Sequence, residues 1–451
     1  MDFLKKAEHI FKKLSPMKKL LLSYVLLVLI GACILMFPIA TKSGQSTAFV
    51  DALFTATSAT CVTGLIRFDT FTYWSFFGQL VLLILIQIGG IGFITFVISG
   101  LSLTHKKIGL STRFTLQNSM SSPQLGGVVR MAKFIMFASA IVEAAGAALL
   151  AVYYCPLLGF GQGLWVSIFH SISAFCNAGF DLMGSIEPSS SMMTVSGNWY
   201  VCTVLMLLVI LGGLGFFVWK DLLDVRFRFG KLRLQSKIVL VTSLFLIVVG
   251  AIALLLTEWR VSDGMSWSDK ILTSLFQSVS ARTAGFNSVD LGNMSGSGRL
   301  IMICLMLIGG SPGSTAGGIK TVTITILMSG IVSTFKRKKS LEAFGRRFED
   351  VAIRTASCIL MTYLLLAVIS AVIISAIEQI DIMAVLFETV SAVATVGLTV
   401  GITSNLSVVS EIIIAILMLY GRMGSITMLM AFTSDRMTIS SKLPLEKVSI
   451  G

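Results

Sequence analysis

Four short stretches of the chain end in the same arrangement of residues. Each starts from a Phe with a polar residue directly after it, places a Ser four positions beyond the Phe, and runs on to a glycine. The sets are Phe54, Thr55, Ser58 and Gly64; Phe169, His170, Ser173 and Gly179; Phe276, Gln277, Ser280 and Gly285; and Phe387, Glu388, Ser391 and Gly397. The glycines lie 115, 106 and 112 residues apart, a spacing far longer than the period of a solenoid. Backbone carbonyls brought together at four such loops can replace the hydration shell of a monovalent cation. Glycine allows the backbone conformations and the close approach that four converging loops require. A helix before each loop would turn the negative end of its dipole to the same point, a small further attraction for a cation. One such glycine could be a simple turn; four in register indicate a shared axis. The polar residues after each Phe, His170 and Glu388 included, are expected to brace these helices and not to touch the ion.

A second set of glycines follows each loop: Gly89-Gly90-Ile91-Gly92, Gly212-Gly213-Leu214-Gly215, Gly309-Gly310-Ser311-Pro312-Gly313 and Gly421-Arg422-Met423-Gly424. The third continues through Ser314, Thr315, Ala316, Gly317 and Gly318 to Ile319 and Lys320. It nearly fits a phosphate loop, but Ile319 stands where the lysine is required, and an apolar span precedes it in place of a strand. Gly costs about 1 and Pro about 3 kcal/mol in a helix interior, so an unwound segment is predicted over 309–318. Arg422 falls where the other units carry Gly90, Gly213 and Gly310. A mid-span Arg costs roughly 2.5–3.5 kcal/mol to insert, so Arg422 should face the interior, donate to carbonyls of the 309–318 loop and add a positive barrier there. Lys320 either serves the same loop or snorkels to the aqueous side. Glu143, inside an apolar run, could pair with Arg422 or Lys320, hold a coupling cation, or stay protonated; the sequence leaves these open. His9, His105 and His170 form no catalytic set, and the seven cysteines, without a CxxC pair, read as packing residues.

The elements that position these residues must be membrane spans. Apolar residues make up 55% of the 451, and charged residues 13%, where a soluble domain carries about 25%. Apolar stretches of roughly 20 residues, enough to cross a bilayer, begin after Lys19, Thr72, Lys133, Asn198, Lys237, Arg299, Arg354 and Glu411. The first is too long for a signal peptide core and lacks a cleavage site, so it is read as retained. Of the 35 basic residues, 27 fall in the two termini and in alternate connections, those near Lys106, Arg228 and Lys336. By the positive-inside rule both termini are then cytoplasmic. The net charge of +13 becomes a topology signal, and nucleic acid is excluded as a partner. The fold class that follows is an all-α membrane protein of eight transmembrane helices. Its units are 20–104, 131–220, 237–335 and 354–432, with an N-terminal segment 1–19 and a tail 433–451, both cytoplasmic. Each unit is a span, a re-entrant pore loop and a span, and the four run parallel around a pseudo-fourfold pore. Parallel repeats argue against an inverted-repeat carrier, which stands as the alternative: a secondary carrier for another solute coupled to H+ or Na+. No ATP-hydrolysing motif is present, so transport must follow the electrochemical gradient. A potential of about −150 mV is worth roughly 3.5 kcal/mol per charge.

With these motifs the chain resembles the Trk/Ktr/HKT superfamily of potassium transporters, and within it the Ktr-type membrane subunit, from about Leu20 to Phe432. The runs Arg282-Thr283-Ala284-Gly285-Phe286-Asn287 and Cys176-Asn177-Ala178-Gly179-Phe180 carry the resemblance. It implies a potassium selectivity filter at the backbone carbonyls of Thr63, Gly64, Asn177, Ala178, Gly179, Thr283, Ala284, Gly285, Thr395, Val396 and Gly397. It implies a gate made of residues 309–318 with Lys320 and Arg422. One glycine per loop, in place of TVGYG, implies fewer carbonyl rings and weaker selectivity than a potassium channel. The resemblance further implies potassium uptake into a bacterial cell, multi-pass location in the plasma membrane among lipid, and sodium as an activator in some members. It implies no covalent cofactor, a homodimer, and a cytoplasmic RCK-type nucleotide-binding ring (KtrA/KtrC type) as regulator.

Overall fold

The computed structural model describes residues 15–92, 95–96, 115–117, 127–258, 265–338, 340–349, 351–425 and 427–428. Most of the N-terminal segment, Lys106, Lys107, Arg113 and the tail 433–451 lie outside these residues.

One order of elements recurs four times: a long helix, a shorter helix that ends just before one of the four glycines, and a helix broken at the following glycine cluster. The long helices are α1 (Pro16–Leu35), α4 (Val128–Leu158), α8 (Leu234–Thr257) and α12 (Val351–Glu378). Leu, Ile, Val and Ala fill them, with 20, 31, 24 and 28 residues respectively; at about 1.5 Å per residue each can cross the roughly 30 Å hydrocarbon layer. Only 28–39% of their apolar stretches are buried in the protein. The remainder, including Leu26, Ile141, Leu244 and Val372, is exposed, as lipid contact requires.

The shorter helices are α2 (Phe49–Cys61), α5 (Phe160–Cys176), α9 (Trp267–Ser280) and α13 (Ile382–Val393). They are nearly encased, with Phe54, Phe169, Phe276 and Phe387 buried. The turn from α4 into α5 is tight. Gly159 takes φ +82°, and a methyl group on Gly163 would meet the Tyr154 carbonyl oxygen at 2.5 Å.

The third members of each set differ from the sequence-based expectation. Only the 309–318 segment was expected to unwind, yet all four are interrupted at their glycines. Helix α3 (Phe76–Ile91) stops at Gly92, φ +92°, and α14 (Val408–Met423) stops at Gly424, φ +81°. Helices α6 (Trp199–Leu214) and α7 (Phe216–Asp224) meet at Gly215, φ +90°, with a bend of 89°. Helices α10 (Gly296–Leu307) and α11 (Thr321–Phe335) flank a non-helical loop. A left-handed φ cannot propagate a right-handed helix. Among the described residues, four helices, or five with the bent pair, are continuous enough to count as spans; eight unbroken spans are not observed.

Among the described residues the helices are accompanied by one short hairpin. In the basic connection after α11, Glu342–Ala343 pairs antiparallel with Arg346–Arg347, through a turn in which Phe344 and Gly345 take φ +48° and +71°. Two left-handed residues are what a two-residue hairpin turn demands. The apolar core falls into two clusters, one mainly from the first two sets of elements and one mainly from the last two.

Candidate ion pathway

The C-terminal ends of α2, α5, α9 and α13 converge. A methyl group on Gly64 would lie 2.5 Å from the carbonyl oxygen of Ala178, and one on Gly179 would lie 2.9 Å from that of Ala284. On Gly285 it would lie 2.5 Å from the oxygen of Val396, and on Gly397 2.0 Å from that of Thr63. Each glycine therefore abuts the carbonyl preceding the next glycine, and the fourth abuts the first, which closes a ring in chain order.

The same backbone path recurs at each station. The glycines take φ +95°, +70°, +81° and +91°, and the residues two positions earlier, Val62, Asn177, Thr283 and Thr395, take +56°, +59°, +70° and +53°. In α2, α5 and α13 the turn is a Schellman cap: the Thr63, Ala178 and Val396 N–H groups donate to the carbonyls of Ser58, Ser173 and Ser391 at 2.9, 2.8 and 2.8 Å. The Ser that recurs in register then pins the loop from its side chain. Ser58 and Ser391 accept from the Gly64 and Gly397 N–H groups at 3.1 Å, while Ser173 and Ser280 donate to the Phe180 and Phe286 carbonyls at 2.6 Å.

The polar residues after each Phe do not reach the ring. His170 Nε2 accepts from the Leu182 N–H at 2.9 Å, Gln277 Oε1 from the Ser288 N–H at 3.3 Å, and Glu388 from the Val400 N–H at 3.1 Å and the Thr403 hydroxyl at 2.8 Å. Each ties its helix to the segment leaving the ring. Thr55 instead donates back to the Asp51 carbonyl of its own helix.

A cavity of about 290 Å³ opens above the glycines on the side of the α2, α5, α9 and α13 N-termini; Arg67, Asp69, Asp181 and Asp290 are among its walls. Arg67 is held by Asp51 at 2.9 Å and by Glu411, a tie that no spacing in the sequence signals. Asp181 lies in the connection beyond the ring. Burial pushes its carboxyl up to about 6, Asp69 acts in the same sense, and the hydrogen bond from the Met183 N–H opposes both.

Beneath the ring lies the 309–318 loop. It is closed at its base, where the Gly309 N–H donates to Ile319 O at 2.9 Å and the Thr321 N–H to Gly310 O at 3.1 Å. It docks on the α6–α7 break: the Ser311 N–H donates to Gly213 O at 3.0 Å and the Phe216 N–H to Gly313 O at 2.9 Å. It touches the ring as well. The Thr315 hydroxyl donates to Phe175 O at 3.1 Å, and a methyl group on Gly317 would lie 2.0 Å from the Thr395 hydroxyl. Ser314, Ala316, Gly318 and Pro312 complete the loop. Arg422 donates to Thr315 O and to the Gly89 and Gly90 carbonyls, the last at 2.8 Å. Lys320 does not snorkel away; its Nζ turns back to donate to Ala316 O at 2.7 Å and Gly317 O at 3.2 Å. Both cations line a second cavity, of about 220 Å³, on the opposite side of the loop from the first. Glu143 contacts neither of them. Its carboxylate accepts from Gln87 Nε2 at 3.0 and 2.9 Å, a partner the sequence reading passed over.

The family described as a cation transport protein, TrkH, matches residues 15–438. The chain is 37% identical to the potassium/sodium uptake protein NtpJ of Enterococcus hirae over 100% of both chains. It is 36% identical to the Ktr system potassium uptake protein B of Bacillus subtilis over 93% of each. Among solved structures, the potassium transporter TrkH from Vibrio parahaemolyticus superposes with a TM-score of 0.72, covering 92% of this chain and 83% of that one at 17% identity; at that identity the likeness concerns the fold.

Proposed function

This chain belongs to the TrkH family of cation transport proteins, and from that premise we propose that it takes up potassium through a pore on the axis of its four glycine loops. It is a multi-pass membrane protein and its relatives are transporters, not enzymes. The observation that carries the proposal is the closed ring in which each glycine abuts the next loop's carbonyl. The carbonyls of Thr63, Ala178, Ala284 and Val396 and their neighbours replace the water of a dehydrating potassium ion, while the carboxyl ends of four helices face the same point. The four units are parallel repeats about that axis, with both termini cytoplasmic, so the cavity holding Asp69, Asp181 and Asp290 is the outer mouth and attracts cations to the ring.

The 309–318 loop with Lys320 and Arg422 acts as the gate. Its contacts with the ring and the α6–α7 break support this reading, in which conduction requires that the loop move. The resting potential supplies the driving force. Sodium serves as an activator; the Enterococcus relative is named as a potassium/sodium uptake protein. The Ktr-type relatives are named as proteins of a Ktr system, and on that ground the chain works as a homodimer on a cytoplasmic RCK-type ring, which its basic connection 336–354 faces.

The test is flux through the purified chain in vesicles, with potassium, rubidium and sodium compared for wild type and Gly285→Ser. The substitution places a side chain 2.5 Å from Val396 O and should lower potassium relative to sodium flux. An unchanged ratio would remove the filter assignment.

A further inference from the structure

Arg422 is a guanidinium at membrane depth whose hydrogen-bond acceptors, among the described residues, are three backbone carbonyls: Thr315, Gly89 and Gly90. These carbonyls pair its two terminal nitrogens but leave its unit charge unbalanced, and a half-buried charge at membrane depth without an opposite charge is costly. Lys320 lines the same cavity.

The carbonyls of Gly89 and Gly90 belong to the last turn of α3, the negative end of that helix. One turn earlier in α3, Gln87 directs its amide nitrogen to both oxygens of Glu143, at 3.0 and 2.9 Å. Its amide oxygen accepts from the Cys176 thiol at 3.5 Å, and a methyl group on Gly90 would meet that same sulfur at 2.6 Å. Cys176 thus packs against the Gln87 amide and against the peptide that holds Arg422. Glu143 itself is 7% exposed, in the middle of α4. The line runs from carboxylate to amide to helix end to guanidinium, and from there through Thr315 into the loop.

We propose that Glu143 is the buried counter-charge of Arg422, acting through Gln87 and the carboxyl end of α3, and that it sets how strongly the guanidinium opposes a cation leaving the ring. Glu143 is a positioning and field-setting residue in this scheme and does not touch the ion. The scheme rests on the gate reading of Arg422. In a low-dielectric interior such a field acts strongly without direct contact.

The test is rubidium influx into potassium-loaded vesicles holding the full chain, for wild type, Glu143→Gln, Glu143→Asp, Arg422→Gln and the Glu143→Gln/Arg422→Gln pair. Neutralising Glu143 leaves the Arg422 charge unopposed and should lower influx about fivefold or more, the usual scale of coupling between sites. Glu143→Asp, which keeps the charge, should recover most of it. In the Arg422→Gln background, Glu143→Gln should change nothing further. An equal loss in both backgrounds, or no loss in either, overturns the counter-charge while leaving the gate standing. Influx in Arg422→Gln equal to wild type overturns the gate reading itself, and the counter-charge with it. Should Glu143→Gln fail to reach the membrane, yields decide: the double variant, which removes both charges, should restore the yield, and a double no better than the single overturns the proposal.

Discussion

Val62, Thr283 and Thr395 hold left-handed backbone angles that β-branched side chains seldom adopt. The conformation costs each roughly 1–2 kcal/mol, and the packing of the ring must cover it. The ring glycines face a second demand, close approach, and the two can be separated. Gly44 also has a positive φ, +69°, but a methyl group there would meet nothing within 4 Å, whereas on Gly397 it would lie 2.0 Å from Thr63 O. Gly44→Ala should therefore cost about 1 kcal/mol and leave potassium flux intact, while Gly397→Ala should abolish flux; thermal unfolding and vesicle flux measured on the same preparations check both. Asp181 offers a pH readout. With its carboxyl raised to about 6, it is charged above that pH and neutral below it. The cavity holding Asp69, Asp181 and Asp290, the outer mouth on the reading proposed above, then loses one negative charge as external pH falls from about 7 to about 5, and uptake from dilute potassium should weaken over that window. Asp181→Asn should remove that dependence. The glycines and the serines were legible because their types are diagnostic. The left-handed residues two positions before Gly64, Gly285 and Gly397 were not, since Val and Thr argue against such a conformation.

At the level of elements, the breaks in α3, α6–α7, α10–α11 and α14 decide what can lie under the ring. Three follow one plan: methyl groups on Gly89, Gly212 and Gly421 would lie 2.0, 1.9 and 2.1 Å from the carbonyl oxygens of Thr60, Phe175 and Val393. The glycines let each broken helix press on the pore helix of its own set. In the third set Gly309 meets Gly317 O at 2.3 Å instead, because the inserted loop folds back into that space. Gly317→Ala should push the loop away from Thr395 and raise rubidium leak through the unpartnered chain several-fold; an unaltered leak would show that the loop tolerates the displacement. The sequence marked all four clusters but foretold only the third break, since two or three glycines within four residues of an apolar run are compatible with a continuous helix until tertiary packing selects the left-handed angle. The small hairpin at 342–347 was not legible either, because two paired residues per strand carry no periodicity. Gln87 was missed for a related reason: a single amide in an apolar run has no partner that spacing can identify.

For the molecule as a whole, composition and charge placement foretold a polytopic membrane protein, and the exposed apolar faces of α1, α4, α8 and α12 agree with it. Orientation is a separate matter, and it can be measured. With Cys33, Cys304 and Cys358 changed to Ser, Gly44→Cys should react with an impermeant thiol reagent applied to intact cells, and Gly345→Cys only after permeabilisation; the reverse pattern would invert the topology. The order of the ring has a consequence for biosynthesis. Its last seam joins Gly397 to Thr63, residues from the fourth and first sets of elements, so among the seams of the ring it has the longest sequence separation and is the last that a growing polypeptide can make. Until the fourth loop has been made, three loops surround no enclosed axis. On the reading proposed above, a membrane receiving this protein is thus spared a partly built pore, because the conduit exists only once the last seam has closed.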